Sequence, residues 1–141
     1  MISIRFENNI KNQVRIDNVL YELPYRIKSI MDFPALIVFH CSPDFKQDYP
    51  ELVEKYKAEG RISLYAIDKS NKNVLWTMKG VNAVFVELPE NKNEKDFLSK
   101  QHYENYMVKF KNKNLLSVYI GEFRKLIDAD NGNVISSMEI R

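Results

Sequence analysis

Cys41, His40 and His102 are the side chains on which nucleophilic or metal chemistry would have to rest, because the 141-residue chain holds one cysteine and two histidines. A Cys41–His102 pair could form an activated thiolate if the fold brought the two together. Cys41 closes an apolar stretch, however, and a small thiol in that setting reads as packing. His40 falls in register with the same stretch, where a hydrogen-bonded core or rim histidine is the simpler reading than an acid–base catalyst. Structural zinc wants four Cys/His ligands and catalytic zinc usually three protein ligands, and neither set is plausible here. Gly60, Gly80, Gly121 and Gly132 are isolated and fit turns, so no phosphate-cradling loop is present. No metal or cofactor is expected, and the chain is not expected to be an enzyme.

Carboxylates gather at Asp44, Asp48, Glu51 and Glu54, with Lys46 the only cation among them. A calcium loop would need a glycine that this stretch lacks. The cluster reads either as a solvated loop leading into a helix or as a surface that meets a basic partner and steers its approach. These four residues are the candidate partner-binding site. The aromatics Tyr65, Trp76, Phe85, Tyr103, Tyr106, Phe110, Tyr119 and Phe123 form no compact motif of exposed rings flanked by Arg or Lys, as a base-stacking sheet needs, and most read as core or cross-strand pairs.

The balance of 21 basic against 19 acidic residues gives a formal charge of +2, too near neutral for a dedicated nucleic-acid binder. The first seventy residues carry ten of each sign, which leaves the excess in the second half, mostly at Lys109, Lys111 and Lys113. With 45% apolar and 28% charged residues, the composition is that of a globular chain, and the length points to one domain over 1–141. A single cysteine excludes an internal disulfide. The stretch Met1-Ile2-Ser3-Ile4-Arg5-Phe6 lacks the pattern of a secretory signal. The apolar run Ala35 to Phe39 is far short of the ~20 residues that span a bilayer. A cytoplasmic, non-membrane location is the expectation, with signal-less export left open.

The elements that must position these residues follow mostly a period of two, the spacing of strands. Ile2, Ile4 and Phe6 alternate, as do Val14 and Ile16, and Asp17-Asn18 punctuates before Val19 to Leu23. Tyr25 to Met31 fits helix or strand, with strand preferred. Ala35 to His40 is continuously apolar, which predicts a central strand covered on both faces. Pro50 to Glu59 is the best helix, with proline in its first turn and Gly60 as its stop. Ile62–Ile67 and Val74–Met78 predict a hairpin, followed by a strand from Val81 to Glu87. Pro89 to Glu94 reads as a long loop, Phe97 to Tyr103 as a helical turn, and Tyr106 onward as a strand. Strands from Leu116, Phe123 and Val134 would then close the chain in three consecutive hairpins, with Asn131-Gly132 the strongest turn signal. The fold class expected is mainly β (α+β): a single-domain antiparallel meander, curved sheet or sandwich with one or two short helices.

There is an internal echo. Ile62 to Asp68, a polar turn and Asn73-Val74 parallel Phe123 to Asp128, a polar turn and Asn133-Val134. Two copies cannot close a propeller, so the echo reads as a hairpin used twice.

Four phrases carry a family likeness: Leu23-Pro24-Tyr25-Arg26-Ile27-Lys28; Ala35 to Phe39 ending in Ser42-Pro43-Asp44; Leu64 to Asp68 with Val74-Leu75-Trp76; and Leu126 to Ile135 running on to Arg141. In this order they resemble small bacterial immunity proteins encoded beside secreted or contact-delivered toxins. The sequence departs from that pattern where Ser70-Asn71-Lys72-Asn73 lacks the usual turn glycine, where Asp130-Asn131-Gly132 replaces a Thr-Gly form, and where Asn91 to Asn105 looks inserted. The resemblance implies a scaffold that binds one cognate toxin domain and occludes its active site, and it assigns no catalytic residue. The rival readings are a self-associating or partner-binding β module and a small hydrolase using Cys41 or His40.

Overall fold

The computed structural model describes residues 3–139; the strand ends expected at Ile2 and Ile140, with Met1 and Arg141, lie outside the described residues. The first sheet comprises β1 (Ile4–Phe6), β2 (Gln13–Ile16) and β3 (Val19–Glu22), antiparallel in that order. Asp17 and Asn18, at φ of 50° and 69°, make the tight turn from β2 to β3, a conformation whose twist suits paired strands. The second sheet is β4 (Ile27–Asp32), β5 (Leu36–Cys41), β6 (Ile62–Asp68) and β7 (Val74–Lys79), and the third is β8 (Ala83–Glu87), β9 (Leu115–Ile120), β10 (Phe123–Asp128) and β11 (Val134–Glu139). Helix α1 (Pro50–Ala58) links β5 to β6, and helix α2 (Lys100–Phe110) links β8 to β9. The described residues are thus mainly β, in open antiparallel sheets, as the alternation predicts.

Side-chain alternation in β5 explains how the sheets stack. Ile37, Phe39 and Cys41 enter one core with Val14, Ile16 and Tyr21 of the first sheet, while Leu36 and Val38 enter a second core with Leu116, Val118 and Ile127 of the third. All six β5 residues are buried, so this strand is the centre of the molecule, covered on both faces as its apolar run requires. Tyr25 of the Leu23-Pro24-Tyr25 phrase is fully buried in the first core, edge-on to Tyr56 at 5.1 Å, and its hydroxyl donates to Glu59 at 2.6 Å. It thereby fastens α1 to the first two sheets.

The echo proves larger than a hairpin. The second and third sheets share one four-stranded order, although α1 enters the second between its two middle strands and α2 enters the third after its first strand. Ile67 faces Val74 and Ala66 faces Trp76 across a bulge; Ile127 faces Val134 and Leu126 faces Ser136 across a bulge at the same place. The turns match atom for atom. Asp68 N–H donates to Asn73 C=O and Lys72 N–H to Asp68 C=O, as Asp128 N–H donates to Asn133 C=O and Gly132 N–H to Asp128 C=O. Lys72 takes the glycine's role at φ 61°, against 76° at Gly132. That is the missing turn glycine of the first copy, at a backbone cost of roughly 1–2 kcal/mol. In the Asn131-Gly132 turn Gly132 alone takes positive φ, and Asn131 uses its side chain to accept from Asn133 N–H at 2.8 Å.

Each turn also meets the preceding sheet, by a different contact. The first copy's turn lies against β3, where Lys72 Nζ reaches Leu20 C=O at 3.5 Å. The second copy's turn lies against β7, where Trp76 Nε1–H donates to Ala129 C=O at 2.8 Å. A side chain on Gly132 would strike the Trp76 ring at 2.7 Å, so glycine is needed there for close approach as well as for its φ.

Two expectations are corrected. Tyr106 to Phe110 is helical rather than a strand: the Tyr106 ring meets Phe110 edge-on at 5.0 Å, the i to i+4 contact of a helix, and Phe97 lies 5.0 Å from Tyr106 at a tilt. Ser99 caps this helix by accepting from His102 N–H at 3.2 Å. The chain therefore closes in two hairpins, and the partner of β9 on its other side is β8, brought from far along the chain. The expected loop from Pro89 also contains 3-10 turns, Pro89–Asn91 and Glu94–Asp96.

Candidate functional site

The four candidate carboxylates occupy the loop from β5 to α1 and the start of that helix, and the structure divides them. Asp48 points inward: its side chain is fully buried and accepts from Arg26 Nη2 at 2.7 Å and Nε at 3.2 Å, and from Asp44 N–H at 2.7 Å. Such a two-pronged guanidinium–carboxylate pair fixes geometry as well as charge. Burial pushes the Asp48 carboxyl up, but the Arg26 bond and the Asp44 N–H outweigh it and hold it below the usual carboxylate range. Arg26 also donates to Asn9 C=O at 3.3 Å, so the same side chain ties the loop to the first sheet. Asp48 therefore builds the loop and presents no charge to a partner.

Asp44 shapes the loop too, its Oδ1 accepting from the N–H groups of Lys46 and Gln47 at 2.8 and 3.1 Å. Those two bonds hold its carboxyl below the usual range. Glu51 and Glu54 are exposed on α1, and Glu54 approaches Lys57 at 4.0 Å. The outward surface is less acidic than the sequence suggests.

Two residues that sequence reasoning missed stand out instead. Phe45 and Tyr49 are 68% and 74% exposed in a loop whose backbone is pinned from within. Both border α1. Tyr49 is its N-cap residue, with no side-chain capping bond to turn the ring inward, and Phe45 lies 6.0 Å beneath the Lys57 ammonium. The signal available in the sequence was the pair of aromatics interleaved with the carboxylates.

The nucleophile candidates are not brought together. Cys41 is fully buried in the core between the first two sheets, where burial pushes its thiol up and away from thiolate. His40 faces the other core, its Nε2–H donating to Val81 C=O at 3.2 Å, and burial pushes its imidazole down against that bond's opposite pull. His102 is exposed on α2, bonded to Ser99 at 2.9 Å. Among the described residues no group of three or more His, Cys, Asp and Glu is placed to hold a metal ion, and no helix is long and apolar enough to cross a membrane.

A second polar cluster lies on the outer face of the third sheet. Glu87 receives Ser117 Oγ–H at 2.7 Å and Lys92 at 2.9 Å, with Arg124 at 3.5 Å. Burial raises the Glu87 carboxyl, and these donors more than reverse it. The cluster fastens the segment bearing α2 to the sheet, which gives the inserted stretch a structural anchor.

Neither a protein-family model, nor a curated protein, nor a solved structure matches the chain. The geometry defines a class only: an antiparallel β scaffold that holds an aromatic, carboxylate-rimmed surface outward.

Proposed function

We propose that this chain is an immunity-type binding protein that covers a cognate bacterial toxin domain, using the α1 surface as its contact. The observation that carries the reading is the outward display of Phe45 and Tyr49 on a loop locked by the Arg26–Asp48 pair. Exposed aromatics held in place lose little freedom on binding, and such residues dominate interface energetics. Asp44, Glu51 and Glu54 form the rim and favour a basic partner through encounter rate more than affinity. The thiol and imidazoles lie apart, so the reading as a hydrolase has no assembled nucleophile and base behind it.

Co-expression tests this directly. Cells producing the toxin encoded beside this chain's gene are expected to grow when the native chain is present. Continued killing, with the chain abundant and folded, would remove the proposal.

A further inference from the structure

Phe97 and Tyr106 face strands β8, β10 and β11 of the third sheet across a cavity of about 240 Å³ that the toxin-binding reading does not use. It is larger than the ~150 Å³ that hold benzene and smaller than the ~300 Å³ at which drug-sized pockets begin, a size that suits a free amino acid. Phe97, Leu126 and Met138 supply its apolar lining. Its polar lining comes from Glu87, Lys92, Asp96, Arg124 and Tyr106, with Ser136.

Part of that polar surface is already committed. Glu87 Oε1 meets Lys92 Nζ at 2.9 Å and Glu87 Oε2 accepts from Ser117 Oγ–H at 2.7 Å, so these groups are paired among themselves. Three others keep unused capacity among the described residues. The Tyr106 hydroxyl is buried and makes no hydrogen bond, a costly state for a polar group away from water. Burial and the nearby Glu87 charge push its pKa up, so it keeps a hydrogen to donate. Arg124 reaches its neighbours through Nη2 alone, at 3.5 Å to Glu87 and 3.3 Å to Ser117, which leaves Nε and Nη1 without an acceptor. Asp96 accepts from Asn93 N–H at 3.0 Å through Oδ2 and leaves Oδ1 open.

Two acids and two bases line the cavity, so its charges balance and a ligand of single sign gains little there. Spare donors at Arg124 and Tyr106 with a spare acceptor at Asp96 call for a molecule that carries both signs. We propose that this cavity binds a free α-amino acid with an apolar side chain. The ligand carboxylate takes hydrogen bonds from Arg124 and Tyr106, its ammonium meets Asp96, and its side chain lies against Phe97, Leu126 and Met138. The site belongs to the third sheet and the α1 surface to the first two, so it stands or falls independently of the toxin-binding reading.

Calorimetric titration of the full chain with L-leucine, L-phenylalanine, phenylacetate and phenethylamine tests this, because the last two each lack one of the two charges. At least one of the amino acids is expected to bind with a Kd of ~1 mM or below, and L-phenylalanine to bind about tenfold or more tightly than either single-charge analogue. Tyr106→Phe removes only the hydroxyl. It is expected to weaken amino-acid binding by about tenfold, the scale of one hydrogen bond to a charged group, without lowering the thermal unfolding midpoint. A hydroxyl serving the fold would instead lower that midpoint. Absence of binding by both amino acids up to ~10 mM would overturn the proposal. So would phenylacetate or phenethylamine binding as tightly as L-phenylalanine, or a folded Tyr106→Phe variant that binds the amino acid as the native chain does.

Discussion

Replacing Asp48 with alanine is expected to cost about 3 kcal/mol or more, the scale for removing one partner of a buried ion pair. The loss has two parts. Arg26, whose side chain is only 13% exposed, would keep its charge with no carboxylate to meet it. The Asp44 N–H would also lose its acceptor. Asp48→Asn keeps the shape and one acceptor and is expected to fall between the two. Urea unfolding at neutral pH reads both. The same pair dictates an acid response. The Asp48 carboxyl is held below 3.8 in the fold, so its contribution is complete above the unfolded value and drains away as pH falls through the lower, folded one. Stability measured from pH 5 downward should decline more steeply in the native chain than in Asp48→Asn. Equal slopes would mean that the pair does not hold the loop.

Phe39→Ala should destabilise by about 3–5 kcal/mol, the range for truncating a fully buried aromatic. Phe39 has no exposed surface and its ring lies 5.6 Å from that of Tyr21, so it bridges β5 to the first sheet. Phe39→Leu, which retains most of the volume, should lose much less. A small loss for alanine, measured by denaturant titration, would show that the first sheet is not held through this core.

What the sequence made legible follows from which forces act locally. The unbroken run from Leu36 to Phe39 announced a doubly covered strand because burial on both faces leaves no room for polar alternation. The helix at Pro50 was legible from its first-turn proline and its stop glycine. The segment from Tyr106 to Phe110 was not, because aromatics there satisfy both periods and it is the contacts of Tyr106 with Phe110 and Phe97 in the folded chain that go with the helix. The repeat showed itself as one hairpin because the strands beside it share register but little side-chain identity: Val38 of β5 corresponds to Ser117 of β9.

The candidate surface divides in the same way. The cluster at residues 44–54 was visible as charge. That Asp48 turns inward depends on Arg26, twenty-two positions away, and no local pattern announces a bond across that separation. Phe45 and Tyr49 were present as letters, but their exposure is a property of the folded loop.

The central claim is that this surface binds through its aromatics and that the carboxylates only steer. Titration calorimetry of the native chain and its F45A/Y49A variant against the neighbouring toxin domain tests it most directly. A loss of about 100-fold or more in affinity, with the same unfolding midpoint, is the expected result, since two anchors at about 2 kcal/mol each would cost at least that. Unchanged affinity in a folded double variant would contradict the account.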